Sequence, residues 1–491
     1  MQNAVSSEAT LTNDLPLVVD LDGTLVRTDT LLEGLCALAT GRNIFRVFWP
    51  HFLRGRAAFK RAVAEHAGLD PKLLPYNEGL LAYLRSQKAR GRHLVLATAA
   101  DIGMAQRIAD HLGIFDTVIA SDGAHNLKGD AKAHALTDRF GVKGFVYAGD
   151  SRADLAVWRV AHSAILVNAS PSVTARAKAL LPLESEFYDP GSYLVAWLRA
   201  LRPHQWVKNL LIFVPIFTAH AIDQPSAWIG GIIMLAAFCA TASGIYIVND
   251  LCDLAADRAH PRKRLRAFAS GSVSLSLGIA TAVLLLVAGF AVAGTIGALP
   301  IIATYAIATV LYSMKLKQLP LVDVFSLAGF YVIRIFSGGV ATGHALSLWL
   351  FGASSFLFLS LALLKRVEEL MAQSQNSSPT ASRRGYLVGD AAILQTFGCA
   401  SAFAACLVLA VFVQNEATAE RYASPSLLWG IVPLMLFWLC RLWLSTARGY
   451  MHEDPIVYAA RDWVSWIIGG LLIAILALAK SKFHMIPAIW Y

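Results

Sequence analysis

The second part of this chain is built from apolar runs of about 20 residues, the length that an α-helix needs to cross a bilayer. These runs begin after residue 205, and short segments that carry most of the charge separate them. Because lipid cannot satisfy backbone hydrogen bonds, such runs must be helical. The sequence therefore predicts an all-α membrane bundle of about nine transmembrane helices, near residues 208–222, 228–248, 274–293, 298–314, 319–338, 346–364, 392–414, 426–444 and 463–480.

The overall composition agrees with a membrane protein. Of the 491 residues, 56% are hydrophobic and only 15% are charged, which is too apolar for an ordinary soluble protein. The formal net charge is +9, but the basic residues gather at the ends of the apolar runs. That placement suits anionic lipid headgroups and phosphorylated substrates. We therefore expect the lipid bilayer and no nucleic acid among the partners, and the sequence leaves homo-oligomer formation open.

Loop charge predicts the orientation in the membrane. Connections near residues 218–226, 294–300, 342–347 and 414–424 hold few lysines or arginines. The connections that alternate with them are basic and contain Arg258 to Arg266, Lys315 and Lys317, Lys365 to Arg384, and Arg441 to Arg461. Because positive loops remain in the cytoplasm, we expect a multi-pass protein of the inner membrane. Its N-terminal domain and active sites would face the cytoplasm, and residues 1–14 contain no signal-peptide core.

A run of acidic and amide side chains stands where the apolar stretch 228–248 meets a basic connection. It reads Asn249-Asp250-Leu251-Cys252-Asp253-Leu254-Ala255-Ala256-Asp257. On a helix, Asn249, Asp253 and Asp257 lie on one face, with Asp250 beside the first. Carboxylates placed in this way repel one another, so a bound Mg²⁺ is the natural compensation close to lipid. A plain solvated helix end is the alternative interpretation.

Basic residues follow the acidic run at once. Arg258, Lys263 and Arg264 lie within a few residues of Asp257. A diphosphate binds a metal ion through its oxygen atoms, and Arg and Lys side chains neutralise the remaining charge. The two segments together therefore predict a site for a Mg²⁺-bound diphosphate, with these three cations as substrate ligands.

The spacing Asn249-Asp250-x-x-Asp253-x-x-x-Asp257 after an apolar span resembles the first aspartate-rich motif of the UbiA superfamily of intramembrane prenyltransferases. The helical bundle of that superfamily would account for residues from about 200 to 491. The resemblance implies that Asn249, Asp250, Asp253 and Asp257 are catalytic and that the three aspartates hold Mg²⁺. Three segments look most like decaprenyl-phosphate phosphoribosyltransferases: Leu201 to Asn209, Asp257-Arg258-x-His260-Pro261-x-Lys263-Arg264, and Tyr331-x-x-Arg334-x-x-x-Gly338-Gly339.

This resemblance implies a reaction. Such enzymes join phosphoribosyl diphosphate to a polyprenyl phosphate and release diphosphate. The lipid phosphate is already an anion, so no side-chain base is required. The alternative is transfer of a prenyl group from prenyl diphosphate to an aromatic or other acceptor, as in the wider superfamily. A transporter or scaffold of similar topology would give no reason for the aspartate spacing.

A second segment departs from the aromatic prenyltransferases of the superfamily. Those enzymes usually carry a further acidic motif of the DxxxD kind between spans six and seven, where this chain has Lys365-Arg366-Val367-Glu368-Glu369. Lys365 and Arg366 suit a second phosphate group, on the lipid or on the ribose, better than a second Mg²⁺. An ordinary positive anchor at a helix end is the alternative.

Other ionisable residues fall within the predicted spans. Asp323 and Arg334 are eleven residues apart, about 16 Å along a helix axis, so each needs a different partner. We expect Arg334 to contact substrate phosphate, because ions within membranes usually have a function. Lys208 and Asn209 match the family segment and are candidates for the same role, with an interfacial anchor as the alternative for Lys208.

The first 170 residues have a different rhythm. Short apolar runs near residues 17–20, 94–98, 118–121, 144–150 and 164–168 alternate with helical patterns, which is typical of a parallel sheet with crossover helices. We predict a Rossmann-like α/β domain over residues 15–170 with a small helical cap from residues 29–90. A linker would follow at 171–203, and the membrane domain would occupy 204–491.

Three motifs in order resemble the haloacid dehalogenase (HAD) superfamily of phosphatases. They are Asp20-Leu21-Asp22-Gly23-Thr24 after the first strand, Thr98 at the end of the second, and Gly149-Asp150-Ser151-Arg152-Ala153-Asp154 after a later one. The resemblance implies that Asp20 is the nucleophile, that Asp22 is the general acid and base, and that Thr98 binds phosphate. Asp20, Asp22, Asp150 and Asp154 are the implied Mg²⁺ ligands.

A lysine completes the implied phosphatase site. Lys132 stands at the usual distance before the last motif, and Lys128 is its rival. The domain is expected to be an active phosphomonoesterase that removes the 5-phosphate of the ribosylated lipid or another phosphate of the same pathway. A phosphatase fold kept as a scaffold is the alternative.

Overall fold

The computed structural model describes residues 15–40, 56–122, 125–189, 191–375, 385–415, 422–451 and 455–480. Residues 1–14 therefore lie outside the described part of the chain, and so do residues 41–55, which belong to the predicted cap. Two compact units are present. The first comprises Met1–Leu201 with Tyr246–Val283, and the second comprises Arg202–Ile245 with Leu284–Tyr491. The aspartate-rich run thus belongs to the same unit as the N-terminal part.

A parallel sheet of six strands in the order β3-β2-β1-β4-β5-β6 forms the centre of the first unit. The inner strands are continuous apolar runs because helices cover both faces of a parallel sheet. All residues of β1, β4 and β5 are buried. The strands are β1 (Leu17–Val19), β2 (Leu94–Asp101), β3 (Thr117–Ser121), β4 (Val146–Gly149), β5 (Ser163–Val167) and β6 (Leu183–Phe187). The predicted α/β fold is confirmed.

Seven helices of the N-terminal part, α1 to α7, lie between successive strands in the chain, and α8 follows β6. Helices α1, α2 and α3 stand between β1 and β2, where the cap was predicted. In chain order they are α1 (Thr30–Thr40), α2 (Arg56–His66), α3 (Glu78–Ala89), α4 (Ile102–Leu112), α5 (Asp130–Phe140), α6 (Leu155–Trp158), α7 (Pro171–Leu180) and α8 (Tyr193–Leu201).

The sheet extends beyond the domain boundary that the sequence suggested. Strand β6 pairs in parallel with β5 through residues 164–167, and its Glu184 accepts hydrogen bonds from Arg92 and Tyr83. Residues 171–187, predicted as part of a linker, are therefore a helix and an edge strand of the sheet. The prediction missed β6 because an edge strand is half exposed, and Leu-Glu-Ser-Glu-Phe lacks the apolar run of an inner strand.

The remaining described elements are helices. A 3₁₀ segment, Pro203–Phe213, precedes a series of helices, several of them long. They are α9 (Val214–Thr218), α10 (Pro225–Cys252), α11 (Leu254–Arg258), α12 (Leu275–Gly294), α13 (Leu299–Met314), α14 (Val322–Thr342), α15 (Leu348–Gln375), α16 (Ala391–Gln414), α17 (Ile431–Ala447), α18 (Pro455–Arg461) and α19 (Trp463–Lys480).

Seven helices of the described chain are long and apolar enough to cross a membrane: Pro225–Cys252, Leu275–Gly294, Val322–Thr342, Leu348–Gln373, Val388–Gln414, Pro425–Ala447 and Trp463–Lys480. Each corresponds to a predicted span. The span predicted at 298–314 is helix α13, whose 16 residues reach only about 24 Å. The span predicted at 208–222 is divided between the 3₁₀ segment and α9, where Pro215 has no N–H to donate. The count of nine is thus not confirmed.

Helices α14 to α17 share one apolar core in the second unit. It contains Leu364, Leu439 and Leu442, and the indole of Trp443 donates to Ser360 Oγ over 3.0 Å. Gly398 lies so close to Trp443 that a Cβ atom there would stand 2.1 Å from the ring. This glycine permits the close approach of α16 and α17.

Candidate active sites

A cavity of about 480 Å³ lies at the carboxyl ends of the strands in the first unit. Parallel strands direct their carboxyl ends to one edge of the sheet, so motifs after β1, β2 and β4 meet there. All of the predicted phosphatase residues line this cavity: Asp20, Asp22, Thr98, Lys128, Lys132, Asp150 and Asp154.

The most compact feature of the cavity is a trio of carboxylates. Asp20, Asp150 and Asp154 each place one oxygen atom within 4.8 Å of the others, and they form the only such group of metal-ligand side chains in the described residues. Asp22 was predicted to join them but is not part of the trio. Its Oδ1 instead accepts the N–H of Thr30, at the start of α1, over 2.8 Å.

Lys132 is the lysine that the structure brings to the trio. Its Nζ donates to Asp20 Oδ1 over 2.8 Å and to the Tyr147 hydroxyl over 2.9 Å. Tyr147 in turn donates to Asp154 Oδ1 over 2.8 Å. Lys128 lines the cavity as well, but the contact with Asp20 favours Lys132 for the role that the sequence left open between the two.

The loop after β1 requires a glycine. Gly23 has a φ of +80°, and a Cβ atom there would lie 2.5 Å from Asp150 Oδ2. Thr24, the next residue, donates its hydroxyl to Asp150 Oδ1 over 3.2 Å. The Asp-x-Asp-Gly-Thr spacing therefore lets the chain turn tightly and fixes the carboxylate of the later motif.

The phosphate-binding residue predicted after β2 is placed slightly differently. Strand β2 continues to Asp101, so Thr98 lies within the strand rather than at its end. Its Oγ1 accepts the N–H of Ala100 over 3.0 Å, and the side chain is buried at the cavity wall.

Three carboxyl groups of the cavity have raised pKa values. Burial raises the pKa of Asp22 to about 7, and the charge of Asp29 adds to this. Burial raises the pKa of Asp20 to about 6 although Lys132 opposes the change. Burial and the charge of Asp154 raise the pKa of Asp150 to about 8. A carboxyl group with a pKa near 7 exchanges protons at neutral pH, as a general acid and base must.

The trio fits a divalent cation. Three carboxylate oxygens are the hard ligands that Mg²⁺ prefers, and a bound cation would oppose the rise in the pKa values of Asp20 and Asp150 that burial and, to a smaller extent, the charge of Asp154 cause. Both oxygens of Asp154 already accept hydrogen bonds, from Tyr147 and from the backbone N–H groups of Asp150 and Ser151. Asp154 therefore also fixes the loop that carries the other ligand.

The cap contributes a residue that the sequence analysis missed. Lys60 of α2 lines the cavity, and its Nζ donates to Ala99 O over 2.7 Å and to Asn126 Oδ1 over 2.8 Å. Burial lowers its pKa from the ordinary value. Leu31 and Val63 add apolar surface on the same side. No sequence motif marks Lys60, because its partners are about 40 and 66 residues away.

The aspartate-rich run keeps its predicted four-residue spacing although the helix is interrupted. Helix α10 ends at Cys252 and α11 begins at Leu254. Across this break the N–H of Asp253 donates to Asn249 O over 2.9 Å, and the N–H of Asp257 donates to Asp253 O over 2.8 Å. Asp253 is exposed, whereas Asp250 and Asp257 are buried.

An arginine joins the two buried carboxylates. Arg266 Nη1 lies 3.1 Å from Asp250 Oδ1 and 2.7 Å from Asp257 Oδ2. Asp250 and Asp257 are seven residues apart, two helical turns, and so share a face. The guanidinium supplies in this structure the positive charge that Mg²⁺ was predicted to supply. These carboxylates fit a cation, and Arg266 would have to yield part of its contact to a metal.

The cations predicted for the diphosphate have different surroundings. Lys263 and Arg264 are exposed in the connection after α11. Arg258, by contrast, is buried in a two-armed ion pair with Glu33 of α1, and its Nε donates to Ala269 O over 2.9 Å. Its guanidinium therefore holds protein groups in this arrangement rather than a substrate.

A polar cluster in the second unit contains three of the predicted residues. Arg334 Nε donates to Asn209 Oδ1 over 2.7 Å, and its Nη2 donates to the Tyr305 hydroxyl over 3.2 Å. Lys208 Nζ lies 5.7 Å from the ring centre of Tyr331. The segments around residues 208 and 334, which the resemblance singled out, are thus neighbours in space.

Arg366 has protein partners as well. Its Nη2 lies 2.6 Å from Asp323 Oδ2, its Nη1 pairs with Glu369, and its guanidinium is next to the Tyr386 ring. Asp323 and Arg334 therefore each have a different partner, as the helical distance predicted. The side chain of Arg366 is 1% exposed, so its predicted contact with a phosphate is not available in this arrangement. Lys365, beside it, is half-buried.

These two parts define a class of protein: an integral membrane transferase with a fused hydrolase domain of the phosphatase type. The profile of the UbiA prenyltransferase family matches residues 210–450, and that of the haloacid dehalogenase-like hydrolases matches residues 17–159. The chain belongs to the UbiA prenyltransferase family and carries an N-terminal haloacid dehalogenase-like domain. Both families are generally dependent on divalent metals.

Three relatives show how far the similarity extends. The uncharacterized protein y4nM of Sinorhizobium fredii is 38% identical over 473 residues, 95% of this chain and 91% of that protein. The nodulation protein NoeC of Azorhizobium caulinodans is 32% identical over 290 residues, 58% of this chain and 91% of that protein. The decaprenyl-phosphate phosphoribosyltransferase of Mycolicibacterium smegmatis is 31% identical over 235 residues, 46% of this chain and 74% of that protein.

Proposed function

We propose that this protein transfers a 5-phosphoribosyl group from phosphoribosyl diphosphate to a polyprenyl phosphate in the membrane. The observation that carries the proposal is the acidic run at the end of α10, in which Asp250 and Asp257 are buried and the guanidinium of Arg266 lies between them. The relatives named decaprenyl-phosphate phosphoribosyltransferase support this choice of donor and acceptor. Phosphoribosyl diphosphate and polyprenyl phosphate are therefore the proposed substrates.

The acidic run would bind the leaving group. Asp250, Asp253 and Asp257 would hold Mg²⁺, which when bound stabilises the charge that develops on departing diphosphate. Asn249 offers an amide beside them. Lys263 and Arg264 are exposed cations within ten residues of Asp257, so they are suited to neutralise the diphosphate oxygens.

The cluster in the second unit would bind a phosphate group. Arg334 and Lys208 are cations among aromatic rings, an environment in which a bound anion is weakly screened. Arg334 is only 5% exposed, so it would have to exchange its contact with the Tyr305 hydroxyl for the phosphate. Asn209 fixes Arg334 through its amide oxygen and so presents the guanidinium in one orientation. We assign Lys208, Asn209 and Arg334 to the lipid phosphate or to the ribose 5-phosphate.

The first unit would act as a phosphomonoesterase. Asp20 would attack phosphorus to give an aspartyl phosphate, and Asp22 would protonate the leaving alkoxide and then activate water. Lys132 and Thr98 would hold the transferring phosphate, while the trio binds Mg²⁺. The proposed substrate is the phosphoribosyl lipid, whose 5-phosphate would be removed after transfer.

The membrane orientation is part of the proposal. The basic connections, including Arg258 to Arg266, favour a cytoplasmic position for both sites in the inner membrane of the cell. Phosphoribosyl diphosphate is charged and water-soluble, so a cytoplasmic site would have direct access to it.

The test is transfer of label from phosphoribosyl diphosphate to a polyprenyl phosphate by the purified full-length protein, with and without Mg²⁺. Asp253→Ala should abolish labelled lipid, and Asp138→Ala, an exposed aspartate of α5, should not. In a second step, wild-type protein should release phosphate from the labelled lipid, whereas Asp20→Asn should accumulate the phosphorylated product.

Prenyl transfer is the competing function of the same motif. If the protein gives no ribosylated lipid but consumes prenyl diphosphate with an aromatic or other acceptor, the phosphoribosyl assignment is wrong. If it forms ribosylated lipid but hydrolyses only unrelated phosphomonoesters, the assigned phosphatase substrate is wrong.

A further inference from the structure

We propose that helix α1 of the phosphatase cap positions the aspartate-rich motif, and that Glu33 is the residue through which it does so. This inference rests on the proposed transferase function of the motif. It assigns to Glu33, a residue 225 positions before its partner Arg258, a positioning role in the transfer reaction.

The contact itself is strong. Arg258 and Glu33 form a bidentate ion pair in which both side chains are only 5% exposed. Two parallel N–H to carboxylate bonds fix distance and angle together, which a single contact does not. Because each ion is buried, removing one partner leaves the other as an uncompensated charge.

The pair is one end of a row of alternating charges. Arg258 follows Asp257 in α11, Asp257 accepts from Arg266, and Arg266 also reaches Asp250. Glu33 fixes the arginine that neighbours one predicted metal ligand, and Arg266 fixes that ligand against another. Displacement of α11 would therefore alter the distance between Asp250 and Asp257.

Further contacts hold the connection after α11 against the N-terminal part of the same unit. The Trp197 and Phe268 rings meet edge to face with centroids 6.4 Å apart. Gly271 has a φ of +72°, and a Cβ atom there would lie 2.5 Å from Arg27 Cβ. The chain is therefore closely packed on both sides of Ala269, whose carbonyl accepts from Arg258.

Helix α1 contacts both the phosphatase cavity and the segment that carries the aspartate-rich motif. Thr30, Leu31 and Gly34 line the phosphatase cavity, whereas Glu33 is not among the residues of the cavity wall and contacts Arg258. A substitution at Glu33 can thus change the aspartate-rich motif without removing a group from the phosphatase site.

The test uses the full-length protein in lipid nanodiscs. Glu33→Gln should increase amide hydrogen exchange in residues 254–270 several-fold while leaving exchange in β1 and β4 unchanged. The matched control is Glu65→Gln, which removes a carboxylate from an exposed ion pair with Arg61 in the same cap. Mn²⁺ binding to the aspartate-rich motif, measured by electron paramagnetic resonance, should weaken when Glu33→Gln is introduced. Both proteins in this measurement also carry Asp20→Asn, which removes one carboxylate of the phosphatase trio so that Mn²⁺ bound there does not contribute to the signal.

Kinetics separate positioning from general stability. We expect Glu33→Gln to raise KM for the diphosphate donor about tenfold with little change in KM for the lipid, and to leave hydrolysis of a small phosphomonoester within twofold. The charge exchange Glu33→Arg with Arg258→Glu should restore part of the protection in residues 254–270, because the pair is re-formed with opposite signs.

The outcomes distinguish two failures. Equal exchange and equal kinetics in Glu33→Gln and Glu65→Gln, or faster exchange throughout the first unit, would overturn the positioning role. If wild-type protein transfers no phosphoribosyl group, the proposed function fails, but local exchange and Mn²⁺ binding still decide whether Glu33 holds the motif.

Discussion

The two acidic sites of this protein are organised in opposite ways. In the phosphatase cavity, Asp20, Asp150 and Asp154 already converge, and a lysine donates to one of them. In the aspartate-rich run, Arg266 bridges Asp250 and Asp257, and Asp253 is exposed. The first site is ready for a cation, whereas the second has a protein cation in its place.

The difference follows from the supports beneath each site. The cavity stands on the ends of parallel strands, whose backbone positions are fixed by the sheet. The aspartate-rich run stands at a helix break, between α10 and α11, and depends on side chains such as Arg266 and Arg258 to hold it. In the phosphatase cavity the sheet backbone positions the carboxylates, whereas at the helix break ion pairs between side chains position them.

The largest expected effect is the separation of the two activities. Asp20→Asn should reduce phosphatase turnover by about three orders of magnitude or more, because it removes the nucleophile, and should leave phosphoribosyl transfer intact. Asp253→Asn should do the reverse. Phosphate release from supplied phosphoribosyl lipid and labelling of polyprenyl phosphate, measured on the same preparations, check both activities; a single variant that abolishes both would contradict the separation of the two sites.

A smaller effect should distinguish the protein cation from the metal. Arg266→Ala removes the guanidinium that pairs with Asp250 and Asp257, so Mg²⁺ should bind more tightly, because it no longer competes with Arg266 for the two carboxylates. Titration of transfer against Mg²⁺ measures this change. Arg262→Ala, at an exposed arginine of the same connection, is the control. Weaker Mg²⁺ binding in Arg266→Ala would show that Arg266 builds the metal site rather than competing with it.

The raised carboxyl pKa values predict how stability depends on pH. The folded-state pKa values of Asp20, Asp22 and Asp150 exceed the ordinary value, so the native state binds more protons and stability falls as pH rises from about 4 to 8. Thermal unfolding in EDTA should show this loss, and Mg²⁺ should restore stability at pH 8. In Asp150→Asn both the pH dependence and the Mg²⁺ effect should shrink; a stability that rises over this pH range would contradict the assignment.

The smallest effect concerns the cap. Lys60→Met removes two hydrogen bonds from α2, one to Ala99 in β2 and one to Asn126 in the loop after β3, so phosphatase kcat/KM should fall about tenfold, equivalent to about 1.4 kcal/mol. Arg61→Met, whose side chain is exposed on the same helix, should change it little. Transfer should not respond to either variant. Steady-state hydrolysis of a phosphomonoester provides the measurement, and equal values for both variants would exclude Lys60 from the site.

The sequence predicted the elements whose residues are close together or repeat. Asp20, Asp22 and the later Asp150 and Asp154 follow strands, so a parallel sheet brings them to one edge, and the long apolar runs predicted seven of the spans. Strand β6 was missed because its edge position tolerates glutamate. The division of the first predicted span depends on Pro215 and on the 3₁₀ turns, which hydropathy does not report.

Contacts between distant residues were beyond the sequence. The sequence predicted Arg258 as a ligand for diphosphate because it stands beside Asp257. No nearby residue in the sequence indicates that its guanidinium pairs with Glu33 instead. Arg366 likewise has the charge that binds phosphate, but the fold places Asp323 against it. Whether a charged residue of a motif contacts substrate or pairs with another side chain depends on contacts that only the fold determines.

The first unit is discontinuous: its sheet and its aspartate-rich segment are separated in the chain by residues 202–245, which belong to the second unit. During synthesis the ribosome delivers the sheet first, and Tyr246–Val283 emerges only after most of α10 has been made. Glu33 must therefore remain without Arg258 until α10 and α11 have been synthesised. The first unit is thus completed late, and a nascent chain that ends before residue 258 has a finished sheet but a buried carboxylate without its arginine.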